Sequence, residues 1–167
     1  MSELDRRVAR LEARAEIENL MQLYARAADL KYSAAKAKKP QVAIDHAAAL
    51  QAGCFAPDAV WAGGRFGGDL TGRDAIEAFF RKSPWHFTAH HYGSAFIEIG
   101  EGRASAAWRL LEIGIREACG TLVLMSGDVA QELLLTEEGW KIVRMSFSRL
   151  HSFKLSDDPG TLDTLIP

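Results

Sequence analysis

The sequence predicts an α+β fold in which N-terminal helices cover the concave face of a long, curled, mostly antiparallel sheet. Three observations carry this prediction. Apolar residues recur at helical spacing from Leu4 to Ala28, the period shifts to two from about Ala59, and four long extended segments joined by short connectors fill the remainder. Strands of that length must twist, and a helical layer over one face leaves room for a pocket between the layers.

The elements follow in order. Leu4, Val8, Leu11 and Ala15 mark a first helical segment, and Ser2 with Asp5 three positions on resembles a capping box. A second amphipathic segment follows, with Ile17, Leu20, Met21, Tyr24 and Ala28 in one stripe. Tyr24 is central to that buried stripe, so its hydroxyl needs a partner. Asp29 lies about 120° from Ile17 at the stripe's margin, where periodicity also allows solvation. The basic run Lys31–Pro40 reads as a connector or mobile flap, and a helix is expected from Gln41 to about Gly53. Its adjacent Asp45 and His46 point about 100° apart and suit a solvated face.

Ala59–Ala62 reads as a short strand, and the glycines from Gly63 to Gly68 as a hairpin turn. Thr71 and Asp74 suggest a second capped helix carrying Ala75, Ile76, Phe79 and Phe80, ended by Ser83-Pro84. Strands are then expected at about His86–Ile99, Ser105–Glu117, Thr121–Leu135 and Trp140–Phe153, with hairpin-length connectors.

The strand at 86–99 is the most informative. Alternate residues Phe87, Ala89, His91, Gly93, Ala95, Ile97 and Ile99 form an apolar face, which places His91 toward the core. Thr88, His90, Tyr92, Ser94 and Glu98 then fall on the other face. An imidazole among apolar neighbours is either a core histidine bonded to a backbone carbonyl or a functional group.

Composition narrows the function classes. The 167 residues, 48% hydrophobic and with four tryptophans, can bury one sizeable core, so a single domain over 1–167 is expected. With 20 Lys+Arg against 22 Asp+Glu, the net charge of −2 offers no excess to hold a phosphate backbone, and nucleic acid is not an expected partner. No apolar run approaches the roughly 20 residues of a membrane span. The start lacks the apolar stretch of a signal peptide, so a cytoplasmic location with Cys54 and Cys119 as free thiols is expected. His86 and His90 would lie roughly 13 Å apart on a strand, too far for one ion, so no metal is expected. No phosphate loop, dinucleotide fingerprint or nucleophile elbow occurs, so neither a cofactor nor covalent catalysis is indicated.

Four segments carry a family resemblance: Ala15–Asp29, Leu70-Thr71-Gly72-Arg73-Asp74-Ala75-Ile76, His90-His91-Tyr92-Gly93-Ser94, and Glu138-Gly139-Trp140-Lys141-Ile142. In that order they resemble the SnoaL-like group of the nuclear-transport-factor-2-like superfamily, whose dehydrochlorinases, dehydratases and cyclases share a cone-shaped sheet closed by helices. The resemblance implies a strongly curved mixed sheet around an apolar pocket, a small-molecule substrate and association as a homodimer or homotrimer.

Residue by residue, His91-Tyr92-Gly93 resembles the dehydrochlorinase segment bearing the catalytic histidine, and Ile17–Asp29 the stretch bearing its aspartate. Tyr24 with Asp29, and Arg149 in Phe147-Ser148-Arg149-Leu150, resemble substrate-handling positions of a dehydratase. The resemblance therefore implies a His91–Asp29 dyad that abstracts a proton from a small, largely apolar cyclic substrate, with Tyr24 and Arg149 binding a leaving group or carbonyl. The same cone also builds the small β subunits of ring-hydroxylating dioxygenases, so the rival expectation is a non-catalytic binding or assembly subunit. A His–Asp contact within about 3.2 Å inside a pocket separates the two.

Overall fold

The structure, a computed structural model, describes residues 2–164. Ser2 and Asp5 form the expected capping box: the Ser2 hydroxyl accepts from the Asp5 N–H at 3.1 Å, and the Asp5 carboxylate accepts from the Ser2 N–H at 2.7 Å. From this cap one uninterrupted helix, α1, runs over Glu3–Asp29. The two expected helical segments are continuous because neither glycine nor proline separates them. Leu4 and Leu11 on its first turns are each 67% exposed, and burial begins at Ile17 and continues through Met21, Tyr24 and Ala28.

The basic connector is tied down at both ends. Tyr32 and Lys38 form an isolated antiparallel bridge, the Tyr32 hydroxyl meets the Ser83 hydroxyl at 2.6 Å, and Lys38 Nζ donates to the Ser83 carbonyl at 3.0 Å. Helix α2 (Gln41–Ala52) follows, then strands β1 (Phe55–Ala62) and β2 (Asp69–Thr71) around the glycine turn. Strand β1 begins earlier than expected, at Phe55. Its register shifts between Phe55 and Val60, where Pro57 cannot donate to the ladder.

Thr71 does not cap helix α3 (Arg73–Arg81). It is paired with Val60 in the sheet, and the chain turns at Gly72 (φ 90°), which becomes the N-cap with no side-chain bond. Strands β3 (Trp85–Ile99), β4 (Arg103–Arg116), β5 (Leu122–Thr136) and β6 (Gly139–Ser156) then run as a meander, and a short 3₁₀ turn covers Pro159–Thr161. The sheet order is β2-β1-β6-β5-β4-β3, antiparallel except for the parallel β1–β6 pair. Helices α1 and α3 pack against it, and the core joins Ile17, Met21 and Tyr24 to Phe55, Trp61, Ile76, Phe80, Trp108, Val129 and Met145. Full burial of each large apolar side chain contributes roughly 1.5–3 kcal/mol.

Strand β3 contains the irregularity that decides the site. Gly93 pairs with Arg109 and Phe96 with Ala107, so three steps along β3 match two along β4. The extra residue is a β-bulge, and side chains change face across it. After the bulge Ala95, Ile97 and Ile99 pack against the core, as expected. Before it the inward residues are Thr88, His90 and Tyr92, whereas His91 and Gly93 are exposed. Among the described residues no helix is long and apolar enough to cross a membrane.

Candidate functional site

Between the helices and the concave face of the sheet lies a cavity of about 600 Å³, in the usual range for small-molecule sites. Apolar walls come from Trp61, Phe66, Phe79, Phe80, Leu110 and Phe147, and polar groups from Thr88, His90 and Glu112 gather at one end, with Asp29 bonded to Thr88 and His90.

Asp29 is the last residue of α1, where a carboxylate opposes the negative end of the helix dipole. Its hydrogen bonds offset that cost. One oxygen, Oδ1, accepts from the Thr88 hydroxyl at 3.1 Å and lies 2.6 Å from His90 Nδ1. The other, Oδ2, accepts from the His90 backbone N–H at 2.9 Å. An acceptor at that position assigns the imidazole proton to Nδ1.

The second ring nitrogen, Nε2, lies 3.4 Å from Glu112 Oε2. Glu112 is the register partner of His90 on β4 and is 2% exposed. Its other oxygen, Oε1, is buried without a hydrogen-bond partner among the described residues. Burial alone would lower the His90 pKa, but the Glu112 charge, the Asp29 hydrogen bond and the Asp29 charge outweigh it, and the pKa is raised. Burial also raises the Glu112 carboxyl; the His90 charge opposes this and the Asp29 charge adds to it. The two carboxylates approach opposite nitrogens of one ring. Among the described residues no group of three or more His, Cys, Asp or Glu side chains is arranged to hold a metal ion.

The expected His91–Asp29 contact is therefore corrected to His90–Asp29. His91 is exposed on the opposite face, because the apolar alternation of Ala95, Ile97 and Ile99 does not extend back through the bulge. Tyr24 does line the cavity. It is 2% exposed, edge-on to Phe55, Phe80 and Tyr92, and burial raises its phenol pKa against the opposing effect of a hydrogen bond with Gln51. Arg149 also borders the cavity, but its side chain is 69% exposed and is paired with Asp128. The guanidinium is thus held at the margin.

Three inward groups are not marked out by the sequence pattern: Glu112, His90 and Lys31. Glu112 interrupts the inward series Ala106, Trp108, Leu110 of β4, and a lone acid in an apolar alternation was the signal available. His90 shares its face with Thr88 and Tyr92, and alternation assigns that face to the side opposite the apolar one. Lys31 opens the basic run that reads as a connector or mobile flap, yet it is 5% exposed, donates to Gln51 Oε1 at 2.7 Å and lies 5.1 Å over the Phe80 ring. Burial brings its pKa down to about 8, with the Asp29 charge acting in the other direction.

Residues 41–146 match the SnoaL-like domain family. The chain belongs to this family. Solved structures with the same fold include a hexachlorocyclohexane dehydrochlorinase, LinA-type3 from Novosphingobium barchaimii LL02, at 18% identity and TM-score 0.71, covering 93% of this chain and 95% of that one. A scytalone dehydratase-like protein from Novosphingobium aromaticivorans superposes with TM-score 0.69 at 18% identity, covering 92% of each chain. An aromatic ring hydroxylase-like protein from the same organism gives TM-score 0.68 at 24% identity over 86% of this chain and 94% of that one. Among curated proteins none matches the sequence. The SnoaL-like match begins at Gln41 and so does not include α1 with Asp29.

Proposed function

We propose that this SnoaL-like protein is a cofactor-independent lyase or isomerase that removes a proton from carbon in a small, largely apolar cyclic substrate. The observation that carries the reading is the 2.6 Å contact between His90 Nδ1 and Asp29 Oδ1 at the polar end of an aromatic-walled cavity. In this reading Asp29 fixes the imidazole tautomer and stabilises the imidazolium, leaving Nε2 as the general base. Tyr24 donates from the wall to an oxygen whose charge grows in the transition state. The dehydrochlorinase and the scytalone dehydratase-like protein of the same fold support elimination as the reaction type. A binding or assembly subunit has no need of an imidazole held between two carboxylates.

The test is a screen of the purified protein against hydroxylated and halogenated cyclic carbonyl compounds. His90→Ala is expected to lower turnover of any substrate found by roughly 10²–10⁴. Full activity in His90→Ala, or no turnover across the screen, overturns the reading. Exposed Phe96, Leu111 and Phe153 support association of two or three copies; light scattering showing only an 18.4 kDa species at all concentrations would count against it.

A further inference from the structure

Glu112 is more than a neighbour of His90. It interrupts an inward series of apolar residues, is 2% exposed, borders the cavity, and keeps one oxygen, Oε1, without a partner among the described residues while the other faces His90 Nε2 at 3.4 Å. Buried carboxyls are otherwise expected to satisfy both oxygens. Because Glu112 lines the cavity, a molecule bound there can reach its carboxyl. Burial and the charge of Asp29 favour its protonated form, against the pull of His90.

We propose that Glu112 is the general acid of this site, protonating a departing hydroxyl, and that the substrate is a β-hydroxy carbonyl compound which loses water. This rests on the elimination reading above and selects among its leaving groups. His90 Nε2 takes the proton from the carbon next to the carbonyl, and the C–H electron pair becomes the new C=C bond as the C–O bond at the β carbon breaks. The oxygen leaves with the proton from Glu112 as water. His90 is then an imidazolium and Glu112 a carboxylate, and proton transfer across the Nε2–Oε2 gap restores both. One proton enters at His90 and one leaves in the water, so no external acid or base is consumed. A chloride departs as a stable anion and makes no use of Glu112.

The experiment compares 3-hydroxycyclohexanone with 3-chlorocyclohexanone, which both yield cyclohexenone, in the full chain and its Glu112→Gln and His90→Ala variants. Glu112→Gln is expected to lose roughly 10²–10⁴ in turnover of the hydroxy compound and to stay within about tenfold of wild type on the chloro compound. His90→Ala loses both. If Glu112→Gln leaves both rates unchanged, or lowers both equally, this inference fails while the elimination reading stands. If His90→Ala is unimpaired, or the wild type turns over neither compound above background, the elimination reading fails and this inference falls with it. Should Glu112→Gln not fold, carbon-13 NMR of the wild-type carboxyl decides: a Glu112 signal still protonated well above pH 4.5 supports the acid, and ionisation at or below that value overturns it.

Discussion

Asp29 and His90 are joined twice, once through the ring at 2.6 Å and once through the backbone N–H at 2.9 Å. Helix end, strand and imidazole are thereby fixed as one unit. Asp29→Asn keeps the shape but sets an amide N–H against one of the two donors and removes the charge. Turnover is expected to fall by roughly 10²–10⁴. The His90 pKa should drop, because both the Asp29 bond and its charge now raise it. An NMR titration of the imidazole measures this, and an unmoved midpoint would contradict the coupling.

His91 supplies the internal control. It is exposed on the far side of the strand, so His91→Ala should change neither turnover nor melting temperature measurably, as surface substitutions usually stay within about 0.5 kcal/mol. A loss in His91→Ala comparable to that in His90→Ala would mean that the face assignment before the bulge is wrong.

The contrast between these neighbours shows what a sequence can reveal. Alternation read from Ala95, Ile97 and Ile99 gave the right face for those residues, but a bulge adds one residue without any compositional mark, and the side chains from Thr88 to Gly93 change side. Asp29 was found only through family resemblance, since its helix position sits at the edge of the apolar stripe. The long strands and α2 were legible because their periods are sustained, and Tyr24 because it lies inside a buried stripe. Lys31 was hidden because burial of an amine depends on Gln51 and Phe80, residues distant in sequence.

Stability should fall as pH rises because of Glu112 and His90. Both have raised values in the folded chain, so the native state holds protons that the unfolded state releases. Their contribution is complete below the unfolded values and is lost on raising pH above 4.5 for Glu112 and above 6.5 for His90, through each folded pKa. Glu112→Gln cannot ionise, so its denaturation midpoint should vary less with pH across this window. Equal slopes for the two proteins would rule out the raised acid.

Lys31 works with the opposite sign. Its pKa is lowered from 10.5 to about 8, so the folded chain releases this proton first and stability gains as pH rises between those values. The shift corresponds to about 3 kcal/mol, carried as a penalty at neutral pH. Lys31→Met should remove this alkaline gain, although the loss of the bond to Gln51 offsets part of the benefit at neutral pH. Chemical denaturation at pH 7 and pH 10 gives the comparison; a wild-type chain no more stable at the higher pH, once other slopes are subtracted with the variant, would exclude a buried ammonium.

Arg149 stands in the left-handed region, with φ 49°, at a second bulge where Ser126 pairs with His151 and Asp128 with Ser148. Opposite it Gly127 leaves room for the bent strand, since a Cβ there would lie 2.9 Å from Leu150 Cδ1 and 3.1 Å from its Cα. Gly127→Ala must therefore displace backbone and is expected to cost about 1–3 kcal/mol. At Arg149 itself two variants separate side chain from backbone. Arg149→Gly and Arg149→Ala both lose the pairing with Asp128, but only glycine adopts positive φ freely. Arg149→Gly should be the more stable of the two by about 1 kcal/mol, a difference of roughly 2–4 °C in melting temperature for a chain of this size. Identical melting curves would mean that the strand does not hold this conformation, and the position of the guanidinium at the cavity margin would have to be drawn differently.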